Sequence, residues 1–129
     1  MPDWLTHPVA LLTIGGGLGT NARYFLGRAV ARFQGDAAFP WATFLINVLG
    51  SALLGVVAAA CLNHPDPARR NWYLLLGTGF CGGFTTFSTF SLETLTLLET
   101  GRPWTALGYA LGSVAGGLFA VWAAMRIVR

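Results

Sequence analysis

Long apolar runs, separated by short polar segments, organise the whole chain. Three of these runs contain no charged residue and cover residues 41–62, 71–92 and 104–125. Each has the roughly 20 residues that a helix needs to cross about 30 Å of hydrocarbon. A fourth run, 9–28, is rich in glycine and carries Arg23 near one end, where a long side chain can reach an interface. The pattern therefore predicts four membrane-spanning helices.

The segments between the runs are short and contain residues that favour turns. Proline, glycine, asparagine and aspartate are concentrated at 34–40, 63–67 and 101–103. Because such short connections make consecutive helices antiparallel, we expect both ends of the chain on the same side of the membrane. The sequence predicts a single all-α membrane domain that spans residues 1–129.

Composition agrees with a location in lipid. The chain of 129 residues has eight arginines, no lysine and five acidic residues, so 10% of it is charged and 54% is hydrophobic. An ordinary soluble domain is about 25% charged, and so few charges would not cover the surface of a water-soluble globule. The arginines give a formal net charge of +3 but are scattered, so nucleic-acid binding is not indicated.

The arginines are divided almost evenly between the two predicted faces of the membrane. The face that holds both termini carries four, and the opposite face carries three, or four if Arg23 is included. Since orientation normally follows the side richer in basic residues, an even balance fits a chain that inserts in both orientations. Two inverted copies would then pair about an axis in the membrane plane, as the inverted repeats of many transporters do. A single fixed orientation is the alternative.

Polar residues inside the apolar runs recur at helical spacing. Thr43, Asn47 and Ser51 are four residues apart in the second run, and Tyr109 and Ser113 have the same spacing in the fourth. Close helix packing with interhelical hydrogen bonds explains most such residues. A polar pathway is the other interpretation, and Asn47 favours it because a membrane-embedded amide has several groups to satisfy.

The third run is poor material for a continuous helix. Gly82 and Gly83 lie at its centre and are followed by a stretch rich in hydroxyl groups, so we expect the helix to break near them. A break exposes carbonyl groups that can coordinate a cation and N–H groups that can face an anion. The rings of Phe84, Phe87 and Phe90 recur every third residue, which fits either ordinary packing or ring edges presented to an anion.

Several kinds of chemistry have no support in the sequence. No acidic residue lies in the middle of a run, since Glu93 and Glu99 are placed at or beyond the end of the third, so proton-coupled transport is disfavoured. The histidines lie beside prolines in terminal or loop segments, and the two cysteines lie in apolar runs, so neither type indicates a metal site. No nucleophile with its base is apparent, and we do not expect an enzyme.

Three motifs resemble a known family. Residues 16–24, 43–50 and above all 79–91 are similar to the corresponding segments of the CrcB/Fluc fluoride channels, and the resemblance extends over all four runs. It implies a dual-topology antiparallel homodimer in the lipid bilayer of the bacterial inner membrane. Such a dimer would export fluoride passively through two antiparallel pores and so protect a microbe from the ion.

The resemblance also implies roles for individual residues. A structural sodium ion at the dimer interface would be held by the backbone carbonyls of Gly82 and Thr85, Arg23 would stand in the vestibule, and Glu93 matches an acidic residue after the third motif. A further hydroxyl expected one turn after Ser113 is replaced here by Gly117. The residues implied to line the fluoride pore are Asn47, Phe87, Phe90, Thr43, Ser88, Thr89, Tyr109 and Ser113.

The physical properties of fluoride suit this set of side chains. The ion is small and strongly hydrated, so a pore has to replace its water with donors that do not hold it too tightly, and amides, hydroxyls and ring edges are moderate donors. Two other hypotheses stay open. A small dual-topology exporter of organic cations would need a membrane-embedded carboxylate in a binding cavity, and the apolar runs contain none. A non-transporting subunit of a membrane complex would need only the glycine-rich packing surfaces.

Overall fold

The computed structural model describes residues 6–62 and 64–128, and all regular secondary structure in these ranges is helical. Four long helical segments are present, and the third is composed of several shorter elements. In chain order the elements are α1 (Pro8–Gln34), α2 (Trp41–Cys61), α3 (Pro67–Trp72), a π-helix (Tyr73–Cys81), α4 (Gly82–Phe84), α5 (Phe87–Glu99) and α6 (Pro103–Val128). The prediction of an all-α fold is confirmed.

Local sequence signals account for several helix ends. The carboxylate of Asp66 accepts a hydrogen bond of 2.9 Å from the N–H of Ala68, and Pro67 occupies the first turn of α3. Gly35 and Gly101 have φ angles of 57° and 74°, which residues with a side chain rarely adopt. These glycines end α1 and close the turn before α6, so the connections are as short as the sequence predicts.

Within residues 6–62 and 64–128, two helices are long and apolar enough to cross a membrane, namely α2 and α6. For α1 and the third segment a membrane span stays a prediction. α1 is longer than its apolar run because it continues to Gln34 and includes Arg28 and Arg32. Many large apolar side chains are exposed along the helices, among them Phe25 at 65% and Leu118 at 68%. Such faces are stable against lipid or against another apolar surface, so the chain is a membrane protein.

α1 packs against the third segment at backbone distance. Gly15 and Gly19 of α1 lie directly against the backbone of the π-helix, and Gly83 lies against the carbonyl group of Gly16. A methyl group at any of these three glycines would collide with backbone atoms, which cannot move aside as a side chain does. The glycine run of α1 therefore serves close packing, as the sequence indicates.

The helix break falls slightly beyond the predicted place. Gly82 and Gly83 are helical, and the chain becomes extended at Thr85 (φ −79°, ψ 162°) and Thr86 (φ −152°, ψ 114°). A glycine in a helix costs about 1 kcal/mol relative to alanine, but at Gly83 the absence of a side chain also permits the contact with α1. The prediction of a break is confirmed, and its position near the glycine pair is corrected to the two threonines.

Candidate ion pathway

Asn47 of α2 holds the helix break in place. Its Nδ2 donates to the carbonyl of Thr86 at 3.1 Å, and its Oδ1 accepts from the N–H of Thr86 at 2.8 Å. The side chain thus replaces the helical partners that Thr86 loses at the break. Only one of the two amide hydrogens of Asn47 is used in this pair, so the second remains available to a further acceptor.

A groove of about 510 Å³ runs along one side of the break, and we call it the central groove. The two rings predicted for the pore form part of its wall, with Phe87 79% exposed and its centroid 5.7 Å from that of Phe90. The residues that the resemblance implies for the pore or the sodium site and that line this groove are Asn47, Gly82, Thr85, Phe87, Phe90 and Ser113. The structure therefore brings these members of the two implied sites to one groove, whereas Thr43, Ser88, Thr89 and Tyr109 are not among the residues that line it.

Two carbonyl oxygens beside the central groove have no hydrogen-bond donor. The N–H of Thr85 donates to Cys81 at 2.9 Å, and the N–H of Thr86 is taken by Asn47. As a result, no hydrogen bond in residues 6–62 or 64–128 ends on the carbonyl of Gly82 or of Thr85. Free carbonyls of an unwound segment need protein, water or a cation opposite them.

A second groove, of about 520 Å³, contains Arg23, and we call it the arginine groove. It lies between α1, α2 and the start of α5, and it is also lined by Thr43, Thr86 and Thr89. Thr86 lines both grooves. The hydroxyl of Thr86 donates to that of Thr89 at 3.0 Å and lies 3.3 Å from that of Ser88. Its oxygen accepts from the N–H of Thr89 at 3.2 Å, so Thr86 caps α5 at the boundary between the grooves.

Glu93 joins three helices at a polar contact that we call the Glu93 junction. Its Oε1 accepts from the hydroxyl of Thr43 at 2.9 Å and its Oε2 from that of Tyr109 at 2.7 Å. Tyr109 is fully buried, with Phe39 and Phe90 against its ring at centroid distances of 5.4 and 5.1 Å. The expectation that Glu93 lies at or beyond the end of the third helix is wrong, because α5 continues to Glu99.

The hydroxyl protons of the implied pore residues fall into two groups. Those of Thr43 and Tyr109 are donated to Glu93, so they are not free to contact an ion. The hydroxyl oxygen of Ser113 is buried and has no hydrogen-bond partner among the described residues, and Ser113 is one of the residues that line the central groove. Among the implied pore residues that line the central groove, Asn47 therefore keeps one uncommitted amide hydrogen and Ser113 an uncommitted hydroxyl.

Other residues of the central groove are absent from the list of residues that the resemblance implies. Ser51, Tyr73 and Thr78 line it with hydroxyl groups. For Ser51 the sequence does contain an indication, because its four-residue spacing from Asn47 places both on one face of α2. Nothing in the local pattern marks the other two, because the π-helix on which they lie is not distinguished from an α-helix by the apolar run.

These features define a class of protein, a helical membrane protein with an unwound segment beside a groove of uncommitted hydrogen-bond donors. The family is identified by comparison with known sequences. The family model described as CrcB-like protein, Camphor Resistance (CrcB), matches residues 10–125. The chain belongs to this family, and the resemblance predicted from its motifs is confirmed.

Relatives in several bacteria are similar over almost their whole length. The chain is 48% identical over 114 residues to the fluoride-specific ion channel FluC of Gloeobacter violaceus, which covers 88% of this chain and 89% of the relative. It is 43% identical over 119 residues to fluoride-specific ion channel FluC 2 of Rhodococcus jostii, covering 92% and 96%. For FluC of Erythrobacter litoralis the identity is 41% over 131 residues, covering 99% and 94%.

Proposed function

We propose that this protein is a fluoride-selective ion channel that lets fluoride leave the cell down its electrochemical gradient. The observation that carries the proposal is the central groove, whose lining includes Asn47 with one uncommitted amide hydrogen, Ser113 with an unpartnered hydroxyl, and the rings of Phe87 and Phe90. The names of its relatives supply the identity of the ion. Moderate donors suit an anion that has to shed water and still move on.

The channel would act as an antiparallel homodimer in the bacterial inner membrane. The support is that Phe87 lines the central groove and is 79% exposed, so that a single copy leaves this wall of the groove uncovered. An inverted second copy would cover this wall and complete a path on each side of the seam. The even distribution of arginines supports insertion in both orientations.

A structural sodium ion would lie at the seam between the two copies. The free carbonyls of Gly82 and Thr85 fit such an ion, because sodium is commonly held by carbonyl oxygens of unwound membrane helices. Among the described residues no three histidine, cysteine or acidic side chains cluster, so backbone oxygens are the candidate ligands. When bound, the ion would offset the partial negative charge of these carbonyls.

Efflux from liposomes that contain only this chain tests the proposal. Vesicles loaded with equal concentrations of potassium fluoride and potassium chloride are diluted into an impermeant anion, and valinomycin is added to relieve the membrane potential. We expect prompt fluoride release with chloride retained. Vesicles that release neither ion would support the hypothesis of a non-transporting subunit instead. Equal release of both ions would contradict selectivity, and uptake of an organic cation would support the exporter.

A further inference from the structure

The serine and threonine hydroxyls on the helices of this protein differ in whether they donate a hydrogen bond within their own helix. In α5 the hydroxyls of Ser91, Thr94 and Thr96 each donate to the carbonyl four residues earlier, at 2.7–2.9 Å. A hydroxyl has a single proton, so a side chain bonded in this way offers an anion only its oxygen. Such hydroxyls are satisfied within their own helix and need no ligand.

Ser51 of α2 and Ser113 of α6 do not follow this pattern. The hydroxyl oxygen of Ser113 is buried without a partner, and the Ser51 hydroxyl makes no hydrogen bond to any residue in the ranges 6–62 and 64–128. Both serines line the central groove, and the hydroxyl oxygen of Ser113 is shielded from the surroundings of the single chain. Unpaired hydroxyls in a membrane-embedded groove are costly unless something else accepts their protons.

The two helices are in register at this point. Ser51 follows Asn47 by one turn on α2, and Gly117 follows Ser113 by one turn on α6. The hydroxyl oxygen of Ser51 lies 3.4 Å from the position that a Cβ atom at Gly117 would occupy. At the turn where α6 offers only a glycine, the hydroxyl facing the same space therefore comes from α2.

We propose that Ser51 is a further donor to the permeating anion and extends the series formed by Asn47 and Ser113 along the central groove. Gly117 leaves the space into which the Ser51 hydroxyl projects. In this series the hydroxyl of Ser113 comes from α6, and the next hydroxyl, that of Ser51, comes from α2. This inference rests on the proposed fluoride conduction and adds to it a specific residue.

The test moves the hydroxyl from one helix to the other. Fluoride efflux is measured from liposomes for the original chain, for Ser51→Ala, and for the double variant Ser51→Ala with Gly117→Ser. Removing the serine oxygen takes away the nearest atom to residue 117, so the new side chain has room. Ser91→Ala is the matched control, because it makes the same substitution at a hydroxyl already bonded to the carbonyl of Phe87.

We expect Ser51→Ala to slow fluoride efflux up to about tenfold, as for the loss of one hydrogen bond, and the double variant to recover most of the rate. Ser91→Ala should conduct like the original chain. If Ser51→Ala yields no folded protein by gel filtration, Ser51→Cys provides the same comparison with a weaker donor of similar shape, and slower efflux is again expected.

The outcomes separate this inference from the proposed function. If the original chain does not release fluoride, the proposed function fails and this inference fails with it. If the original chain conducts and Ser51→Ala, or Ser51→Cys where it replaces it, conducts at the same rate, the proposed role of Ser51 is overturned and the proposed function stands. A slow Ser51→Ala variant that Gly117→Ser does not recover also overturns it, because Ser51 then acts through packing and not as a donor.

Discussion

The Glu93 junction and the central groove are both polar regions inside an apolar helix bundle, yet they differ in how their donors are used. At the junction the carboxylate of Glu93 accepts the protons of Thr43 and Tyr109, and Tyr109 is fully buried. In the groove, Ser113 has no partner among the described residues and Asn47 keeps one amide hydrogen free. A hydrogen-bond network whose donors and acceptors are all paired holds helices together. Donors that are unpaired in the protein are able to bind a ligand.

Asn47 is both a structural contact, through its two hydrogen bonds to Thr86, and a free donor in the central groove. Its substitution should therefore have the largest effect. Asn47→Leu removes both hydrogen bonds to Thr86, whose side chain is 8% exposed, and leaves its N–H and C=O unpaired. We expect the free energy of unfolding in detergent to fall by about 2–6 kcal/mol, at ~1–3 kcal/mol for each of the two unsatisfied groups. Fluoride efflux from the remaining folded protein should be lost as well, because the donor is gone.

The control for Asn47 is the same substitution at another asparagine of a long helix. Asn21 donates to the carbonyl of Gly17 in its own helix at 2.8 Å, and it lines neither groove. Asn21→Leu should change the free energy of unfolding by about 0.5 kcal/mol or less, the usual range for a surface position. Equal losses in the two variants would contradict the special role of the contact with Thr86.

The Glu93 junction should respond in stability more than in conduction. Tyr109→Phe keeps the buried ring but removes the hydroxyl that Glu93 accepts at 2.7 Å. We expect the free energy of unfolding to fall by about 1–3 kcal/mol because a carboxylate oxygen loses its donor. Tyr24→Phe is the control, since Tyr24 is exposed and its hydroxyl only accepts a bond of 3.3 Å from Arg28.

Efflux measurements on the same variant sharpen the comparison. Fluoride release per folded Tyr109→Phe protein should stay within about threefold of the original rate. The Tyr109 hydroxyl donates its proton to Glu93, so its removal should cost the ion less than one hydrogen bond. A large loss of flux with unchanged stability would place Tyr109 in the pathway, as the resemblance implies, and would contradict the structural role assigned from its contacts.

Local sequence patterns predict the helices of this protein better than the details of its site. The apolar runs give α2 and α6 almost to the residue because length and hydropathy decide a spanning helix. The break in the third segment is also predicted, but its position depends on Asn47, which lies 39 residues before Thr86. A contact between residues so far apart in the chain is not visible in a local pattern.

Glu93 shows the same limitation, because here a helix continues where the local pattern predicts its end. The apolar run ends before it, so the pattern places it at or beyond the end of the helix, yet α5 continues for two further turns. The carboxylate is accommodated there because two hydroxyls from other helices donate to it. The sequence contains all three residues, but only the packing of α2, α5 and α6 brings them together.

The two phenylalanines of the central groove should show the smallest effects on stability, so their variants separate conduction from packing. Phe87→Ile removes a ring that is 79% exposed, so stability should change by about 0.5 kcal/mol or less. Fluoride efflux should still fall about three- to tenfold if the ring edge contributes ~0.5–1.5 kcal/mol. Phe90→Ile should slow efflux similarly and also lower stability by about 1 kcal/mol, because its ring packs 5.1 Å from that of Tyr109.

Gel filtration of both phenylalanine variants checks assembly, because an inverted second copy is proposed to cover the wall that contains Phe87. We expect the copies still to assemble, since isoleucine keeps that wall apolar. The informative result is the difference between the two rings. If Phe87→Ile slows efflux without loss of stability, an exposed ring of the single chain is acting on the ion. If both variants conduct at the original rate, the rings have no role in conduction, and the free donors of Asn47 and Ser113 alone have to account for the pathway.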